Sequence, residues 1–236
     1  MLRIATYNVH RAIGTDRIQD SVRLGNMLAT MNADIIALQE VESAHSDTHP
    51  AQHLEQWAER LDMQFVAGPS MFSETAAYGN GIITSLAVEQ AKLHNISYRR
   101  FEPRGVIDLT LRYNQRWIRV LGTHFGLKKG ERKTQMQQLL EILRTGPGTS
   151  LPTILAGDFN EWRFFSCLFD DLKKTLPRSI KGRTFPARVP ILALDHIWYS
   201  SEWSVMNKKV FKTRLARRAS DHLPLCVTFE LANGGN

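Results

Sequence analysis

The chain has 236 residues, 43% of them hydrophobic, a formal net charge of +7 and two cysteines. That length and composition exclude a disordered chain and a small disulfide-stapled scaffold, and predict one large domain over residues 1–236. The positive charge favours anionic partners: nucleic acid, phosphorylated molecules or an acidic lipid surface.

Basic residues gather in the second half, around Lys128 to Lys133, Lys173 to Arg183 and Lys208 to Arg218. Cys167 and Cys226 follow no metal-ligand spacing and have apolar neighbours, which predicts two buried free thiols. No apolar run is long enough to span a membrane, and Met1-Leu2-Arg3-Ile4 enters a strand without a leader pattern. A cytoplasmic monomer is the expectation.

Leu2 to Asn8 alternates as a strand and ends on a carboxamide. Gln19 to Met31 carries apolar residues at helical spacing and predicts an amphipathic helix, ended by Asn32-Ala33-Asp34. Ile35 to Val41 reads as a buried strand that ends near Glu40, and a carboxylate there, beside other polar strand ends, would suit a hard cation. His45, His49 and His53 are spaced by four around Asp47. That spacing suggests a metal site less than it suggests an exposed loop entering a helix over 50–61, because Pro50 interrupts it.

Gln64 to Ala67 predicts a short strand, and Gly68 to Asn80 a polar loop. Ile82–Thr84, Val88–Ser97, Val106–Arg112 and Trp117–Gly122 predict strands of a meander, the last closing on Thr123-His124-Phe125. Lys129 to Leu143 predicts a helix.

Thr153 to Ala156 is a short buried strand running into Gly157-Asp158-Phe159-Asn160. In extended backbone Asp158 and Asn160 would point the same way. A carboxylate base beside a neutral N–H donor suits attack of water on a phosphate, and an Asx-turn closing the strand is the purely structural alternative. Phe164 to Leu172 predicts a helix, Lys173 to Pro190 a basic loop, and Leu194 to Tyr199 a strand in which buried Asp195 needs a partner. Trp203 to Val210 predicts an edge strand. Ser220-Asp221-His222-Leu223-Pro224 leads into a last strand over 225–231.

Polar residues thus recur where apolar strands begin or end. In the order Thr6-Tyr7-Asn8, Leu38-Gln39-Glu40, Tyr78-Gly79-Asn80-Gly81, Arg104-Gly105, Thr123-His124-Phe125, Gly157-Asp158-Phe159-Asn160, Leu194-Asp195-His196 and Ser220-Asp221-His222, the chain resembles the endonuclease/exonuclease/phosphatase family, the superfamily of DNase I, along nearly its whole length. The resemblance implies an α/β fold, a four-layered sandwich of two facing mixed β-sheets flanked by helices. It implies a Mg²⁺-dependent phosphoesterase, with Mn²⁺ as an alternative metal, most simply a phosphodiesterase acting on nucleic acid or an acidic phospholipid or its headgroup.

By the same resemblance Glu40 is the main metal ligand, with Asn8 and Asp221 close by. Asp158 is the base for the attacking water, and Asn160 binds a phosphate oxygen. His222, held by Asp195, stabilises the transition state or protonates the leaving oxygen. His124 is a second phosphate-side donor or acid, and Arg104 and Asn80 contact phosphate. Glu74 is the candidate carboxylate partner for His124. Gly182 to Ile191 lacks the aromatic-rich segment of apurinic endonucleases, which argues against an abasic-site enzyme and resembles small bacterial members. A non-catalytic phosphate- or nucleic-acid-binding module on the same fold is the competing expectation; the complete set of polar residues argues against it.

Overall fold

Alternate residues of the central strands feed two different cores, and this period of two builds the layers. The computed structural model describes residues 1–44, 52–72, 76–145, 148–163 and 165–232. In chain order it contains β1 (Leu2–Asn8), a tight turn at His10–Ala12, α1 (Ser21–Met31), β2 (Ile35–Ala44), α2 (Gln52–Leu61), β3 (Gln64–Phe72), β4 (Ala76–Thr84), β5 (Val88–Asn95), β6 (Gly105–Tyr113), β7 (Arg116–His124), α3 (Lys129–Arg144), β8 (Thr153–Asp158), α4 (Leu172–Thr175), β9 (Arg178–Lys181), β10 (Asp195–Tyr199), β11 (Trp203–Val210), α5 (Arg214–Ala219) and β12 (Leu225–Leu231). Six strands form one sheet in the order β11-β12-β1-β2-β4-β3, and six form the other in the order β5-β6-β7-β8-β10-β9.

In β2, Ile35 and Ala37 face the other sheet, whereas Ile36 and Leu38 pack under helices with Leu24, Met27 and Trp57. In β8, Ile154 and Ala156 face the first sheet, whereas Leu155 packs with Leu139 and Leu140 of α3. The result is helix, sheet, sheet, helix: the expected four-layered sandwich. Asp20 caps α1 by accepting the backbone N–H of Arg23, and Asn32 ends it in the left-handed conformation. Among the described residues no helix is long and apolar enough to cross a membrane.

Several local expectations need correction. The predicted loop from Gly68 to Asn80 is strand over its described residues: β3 and β4 pair antiparallel up to Phe72 and Ala77, so Asn80 lies within a strand. The meander is β5-β6-β7 alone, because the Ile82–Thr84 strand belongs to the opposite sheet. Phe164 to Leu172 does not form the predicted helix; Phe165 is fully exposed and the helix is the single turn α4. The basic stretch after it is not all loop, since β9 pairs with β10. Cys167 is exposed rather than buried, while Cys226 is buried, and both are free. His45 and His49 lie outside the described residues. His53 sits on α2 with Nδ1 2.7 Å from the Glu42 carbonyl oxygen.

Strand directions set the site. β1 and β2 run parallel, as do β7 and β8, while β12 and β10 run antiparallel to their neighbours β1 and β8. The C-terminal ends of β1, β2, β7 and β8 therefore share a rim with the N-terminal ends of β10 and β12. His124 and Asp195 both flank Asp158 in register, on its two sides.

Gly157 allows that register. A Cβ there would sit 2.1 Å from the backbone oxygen of Thr123 on β7, a contact that no side-chain rotation relieves. Gly157→Ala should lower stability by about 3 kcal/mol in urea unfolding. Gly130→Ala, where a Cβ meets nothing within 4 Å, should leave it unchanged or raise it by up to about 1 kcal/mol.

Candidate active site

At the shared rim a cavity of about 470 Å³ is lined by Asn8, Glu40, Arg104, His124, Asp158, Asn160, Asp221 and His222, with apolar Leu127, Trp162, Phe185 and Leu192 along its sides. Two smaller cavities, about 180 and 250 Å³, lie around His94 at the β5 edge and hold none of these rim residues except Arg104.

Two of the rim residues owe their placement to left-handed backbone. Glu40 has φ 56° where the pairing of β2 with β4 slips between Leu38 and Val41. Such a bulge re-aims one side chain without ending the strand, which is why β2 continues to Ala44 instead of stopping near Glu40. Asn160 has φ 50°, so the expected extended backbone after Asp158 is absent. Its backbone N–H donates to Asp158 Oδ1 at 2.9 Å, an Asx-turn. The structural and chemical readings of this stretch coexist: the turn is what carries both side chains into the cavity.

Asn8 links the carboxylates. Its Oδ1 accepts the backbone N–H of His10 at 3.0 Å, which fixes the orientation of the amide. Nδ2 then donates to Glu40 Oε1 at 2.9 Å and to Asp158 Oδ2 at 3.1 Å. Asn8 thus organises two carboxylates through its amino group, with its carbonyl oxygen turned away from them. One N–H₂ group cannot satisfy the acceptor capacity of two carboxylates. With Asp221 on the same cavity, the surplus of hard anionic oxygen suits a divalent cation such as Mg²⁺.

Asp158, Asp195 and His222 also offer ligand atoms within 4.8 Å of one another. However, Asp195 Oδ2 already lies 2.9 Å from His222 Nδ1 and accepts the Thr184 hydroxyl at 2.5 Å. That trio is a hydrogen-bonded relay, and the Glu40 side of the cavity fits a hard cation better.

Electrostatics separate the two histidines. Burial disfavours a charged His222, but the Asp195 and Asp158 carboxylates outweigh it and raise its pKa to about 10. Its Nε2 lies 3.7 Å from Asp158 Oδ2. Burial raises the pKa of Asp158, an effect that the nearby His222 imidazolium opposes. His124 is held well below the ordinary histidine range by burial, and next by the Arg104 charge. Its Nδ1 is 3.2 Å from Arg104 and its Nε2 is 3.1 Å from Asn160 Nδ2, which also donates to the Phe125 carbonyl at 2.9 Å. A neutral imidazole keeps one N–H, so only one of these two contacts can be a donation to the ring; the nearest carboxylate oxygens to Nε2, Asp158 Oδ2 at 3.7 Å and Glu40 Oε1 at 3.9 Å, lie beyond hydrogen-bond distance.

Of the residues expected from the sequence, Asn8, Glu40, Arg104, His124, Asp158, Asn160, Asp221 and His222 meet on the cavity, with Asp195 directly behind His222. Asn80 does not line it; its Nδ2 donates to the Gly105 carbonyl across the sheets at 2.9 Å. Glu74 lies outside the described residues. The Arg104 guanidinium beside His124 is paired at 2.8 Å with Glu102, a cavity-lining carboxylate that no motif marked. Thr184 and Ser220 were also missed as supports. Ser220 donates to the Asn8 carbonyl at 2.8 Å and accepts the His222 backbone N–H at 3.2 Å. Both lie within quoted segments, Ser220 in Ser220-Asp221-His222 and Thr184 in Gly182 to Ile191, so membership of those segments was the available signal.

The model of the Endonuclease/Exonuclease/phosphatase family matches residues 5–222. A relative from Escherichia coli, the uncharacterized protein YbhP, is 29% identical over 97% of this chain and 96% of its own length. The crystal structure of an endonuclease/exonuclease/phosphatase from Beutenbergia cavernae superposes with a TM-score of 0.80 at 18% identity, covering 98% of this chain and 72% of that one. The mannosyl-6-phosphatase of Bacteroides thetaiotaomicron superposes with a TM-score of 0.78 at 18% identity, covering 98% and 100%.

The relay predicts a titration. Because the folded-state pKa of His222 is raised, its contribution to stability is full below about pH 6.5 and is lost as pH rises through about 10. Asp195→Asn removes the nearest stabilising charge. The His222 resonance in a histidine NMR titration should move to a lower pKa, and the stability gap between wild type and variant should narrow at alkaline pH.

Proposed function

The chain belongs to the endonuclease/exonuclease/phosphatase family, and from that premise we propose that it is a divalent-metal-dependent phosphoric ester hydrolase, a phosphodiesterase acting on nucleic acid or a phospholipid-type phosphodiester. The carrying observation is the Asn8 amide that holds Glu40 and Asp158 on one cavity, with the His222–Asp195 pair on the far side of Asp158. Members of the family are generally phosphoric ester hydrolases and typically depend on a divalent metal.

Glu40 and Asp221 would hold Mg²⁺, or Mn²⁺ in its place, with Asn8 fixing the Glu40 carboxylate. Bound there, the metal supplies Lewis acidity toward a phosphoryl oxygen and offsets charge in the transition state. Asp158 takes the proton of the attacking water; its raised pKa makes it a better base than an exposed aspartate. Asn160, whose amide also donates to the Phe125 carbonyl, would turn the N–H that faces His124 toward a phosphate oxygen. His222, charged at neutral pH, faces the phosphorane and passes its Nε2 proton to the leaving oxygen, while Asp195 keeps Nδ1 protonated and the ring oriented. His124 contributes as a neutral ring rather than as an acid, since its surroundings oppose protonation. Arg104 orients His124 and adds positive charge to the phosphate side.

Asp158→Asn or His222→Ala should lower kcat toward bis-p-nitrophenyl phosphate by about 10²–10⁴-fold with the fold retained by circular dichroism. Wild-type activity should vanish in EDTA and return with Mg²⁺. Near-wild-type rates in either folded variant would defeat the assignment, and metal-independent hydrolysis would defeat the metal.

A further inference from the structure

Four segments carry the cavity mouth: residues 13–18, 125–129, 159–163 and 185–194. They contribute Ile13, Leu127, Trp162, and Phe185 with Leu192 to its lining. Each loop also turns a large apolar residue to solvent, and each such residue has a cation beside it in sequence. The pairs are Arg17–Ile18, Leu127–Lys128, Trp162–Arg163 and Arg188–Val189. Leu127 is 58% exposed, Ile18 55% and Val189 67%, and Phe165 and Ile191 extend the same rim. Single exposed apolar residues are ordinary, but one on each of four loops that line the same polar cavity is not.

These loops are braced from beneath. Arg132, 1% exposed, donates to the Leu127 carbonyl, stacks its guanidinium under Trp162 at 4.7 Å and pairs with Glu161 at 3.5 Å. It joins the 125–129 and 159–163 loops and holds the indole outward. Arg188 donates to the Thr15 carbonyl at 2.6 Å, and Phe185 O accepts from the backbone N–H groups of both Ile191 and Leu192. The 13–18 and 185–194 loops are therefore also tied together. The one acidic side chain in the first loop, Asp16, is neutralised by Arg23 and Arg218, each at 2.7 Å.

We propose that this rim is an interfacial docking surface for an anionic phospholipid bilayer, with the apolar residues entering the headgroup–acyl boundary and the cations meeting anionic headgroups. The inference rests on the phosphoester-hydrolase reading for its consequence, namely that the cavity receives a phosphoester presented at a lipid surface. Branched aliphatic residues on the rim favour lipid over nucleic acid: Ile18, Leu127, Val189 and Ile191 cannot stack on bases as aromatic platforms do, yet they insert readily into hydrocarbon. A Trp at the mouth suits the membrane interface, and the flanking cations suit an anionic leaflet. The protein would lie on the surface, since no described helix spans a bilayer.

Sedimentation of the full chain with vesicles tests this. Wild type should sediment with equimolar phosphatidylglycerol and phosphatidylcholine, far less with phosphatidylcholine alone, and less as salt rises. The double variant Phe165→Ser with Val189→Ser should lose about tenfold or more in partitioning. Met206→Ser, on the distant edge strand β11, should lose nothing. All three proteins should hydrolyse soluble bis-p-nitrophenyl phosphate equally. The proposal is overturned if wild type ignores anionic vesicles, if the double variant binds as wild type does, or if it loses single-stranded oligonucleotide binding instead of vesicle binding. Failure of wild type to hydrolyse the soluble ester with any divalent metal would overturn the hydrolase reading alone, leaving the docking surface to be judged by sedimentation.

Discussion

One carboxamide joins the two sheets where the chemistry converges. Asn8 ends β1 in the first sheet, and its amino group reaches Asp158 at the end of β8 in the second, as well as Glu40 in its own sheet. Without it the Glu40 and Asp158 carboxylates would lose the shared donor that bridges their like charges across the rim. Its own backbone is held by Ser220, whose hydroxyl donates to the Asn8 carbonyl and receives the His222 N–H. Asn8 therefore links Glu40, Asp158 and the His222–Asp195 pair into one hydrogen-bonded unit.

Backbone conformation at the rim departs from what strands prefer. Glu40 and Asn160 both occupy the left-handed region, which disfavours residues with a Cβ. A bulge and an Asx-turn stabilise these positions locally, and close sheet packing supports them. Gly157 shows how tight that packing is, since even a methyl group would collide with the Thr123 carbonyl. Strain of this kind persists where the surrounding structure over-determines it, and here it turns two polar side chains into the cavity.

The site is also electrically divided. On the His222 side, Asp195 and Asp158 stabilise a buried positive ring. On the His124 side, Arg104 and burial exclude a proton. The two histidines of the cavity are thus pushed in opposite pKa directions by their neighbours. Thr184, bonded to Asp195, and Glu102, bonded to Arg104, anchor the two halves.

Much of this was legible in the chain. Alternating residues named β1, and short apolar runs named β8, β10 and β12, the first two of these buried along their whole length. Helical spacing named α1 and α3. Polar residues at the strand ends, in their order, carried the family resemblance and most of the cavity. What the sequence could not show was decided by contacts between distant segments. The β3–β4 hairpin passed for a loop because its glycines and polar residues are stabilised by cross-strand pairing, not by propensity. The Phe164 to Leu172 stretch carried helical spacing, yet Phe165 points to solvent, because periodicity records which residues are apolar and not whether a face awaits them. The bulge at Glu40, the Arg104 contact with His124 and the Arg132 brace under Trp162 join residues far apart in sequence or depend on backbone that pairing imposes. The sequence by itself determined the chemical inventory and, through the family resemblance that its strand-end motifs carry, the expected layers; the tertiary structure alone decided orientation, charge state and the exposed rim, because those depend on which segments meet.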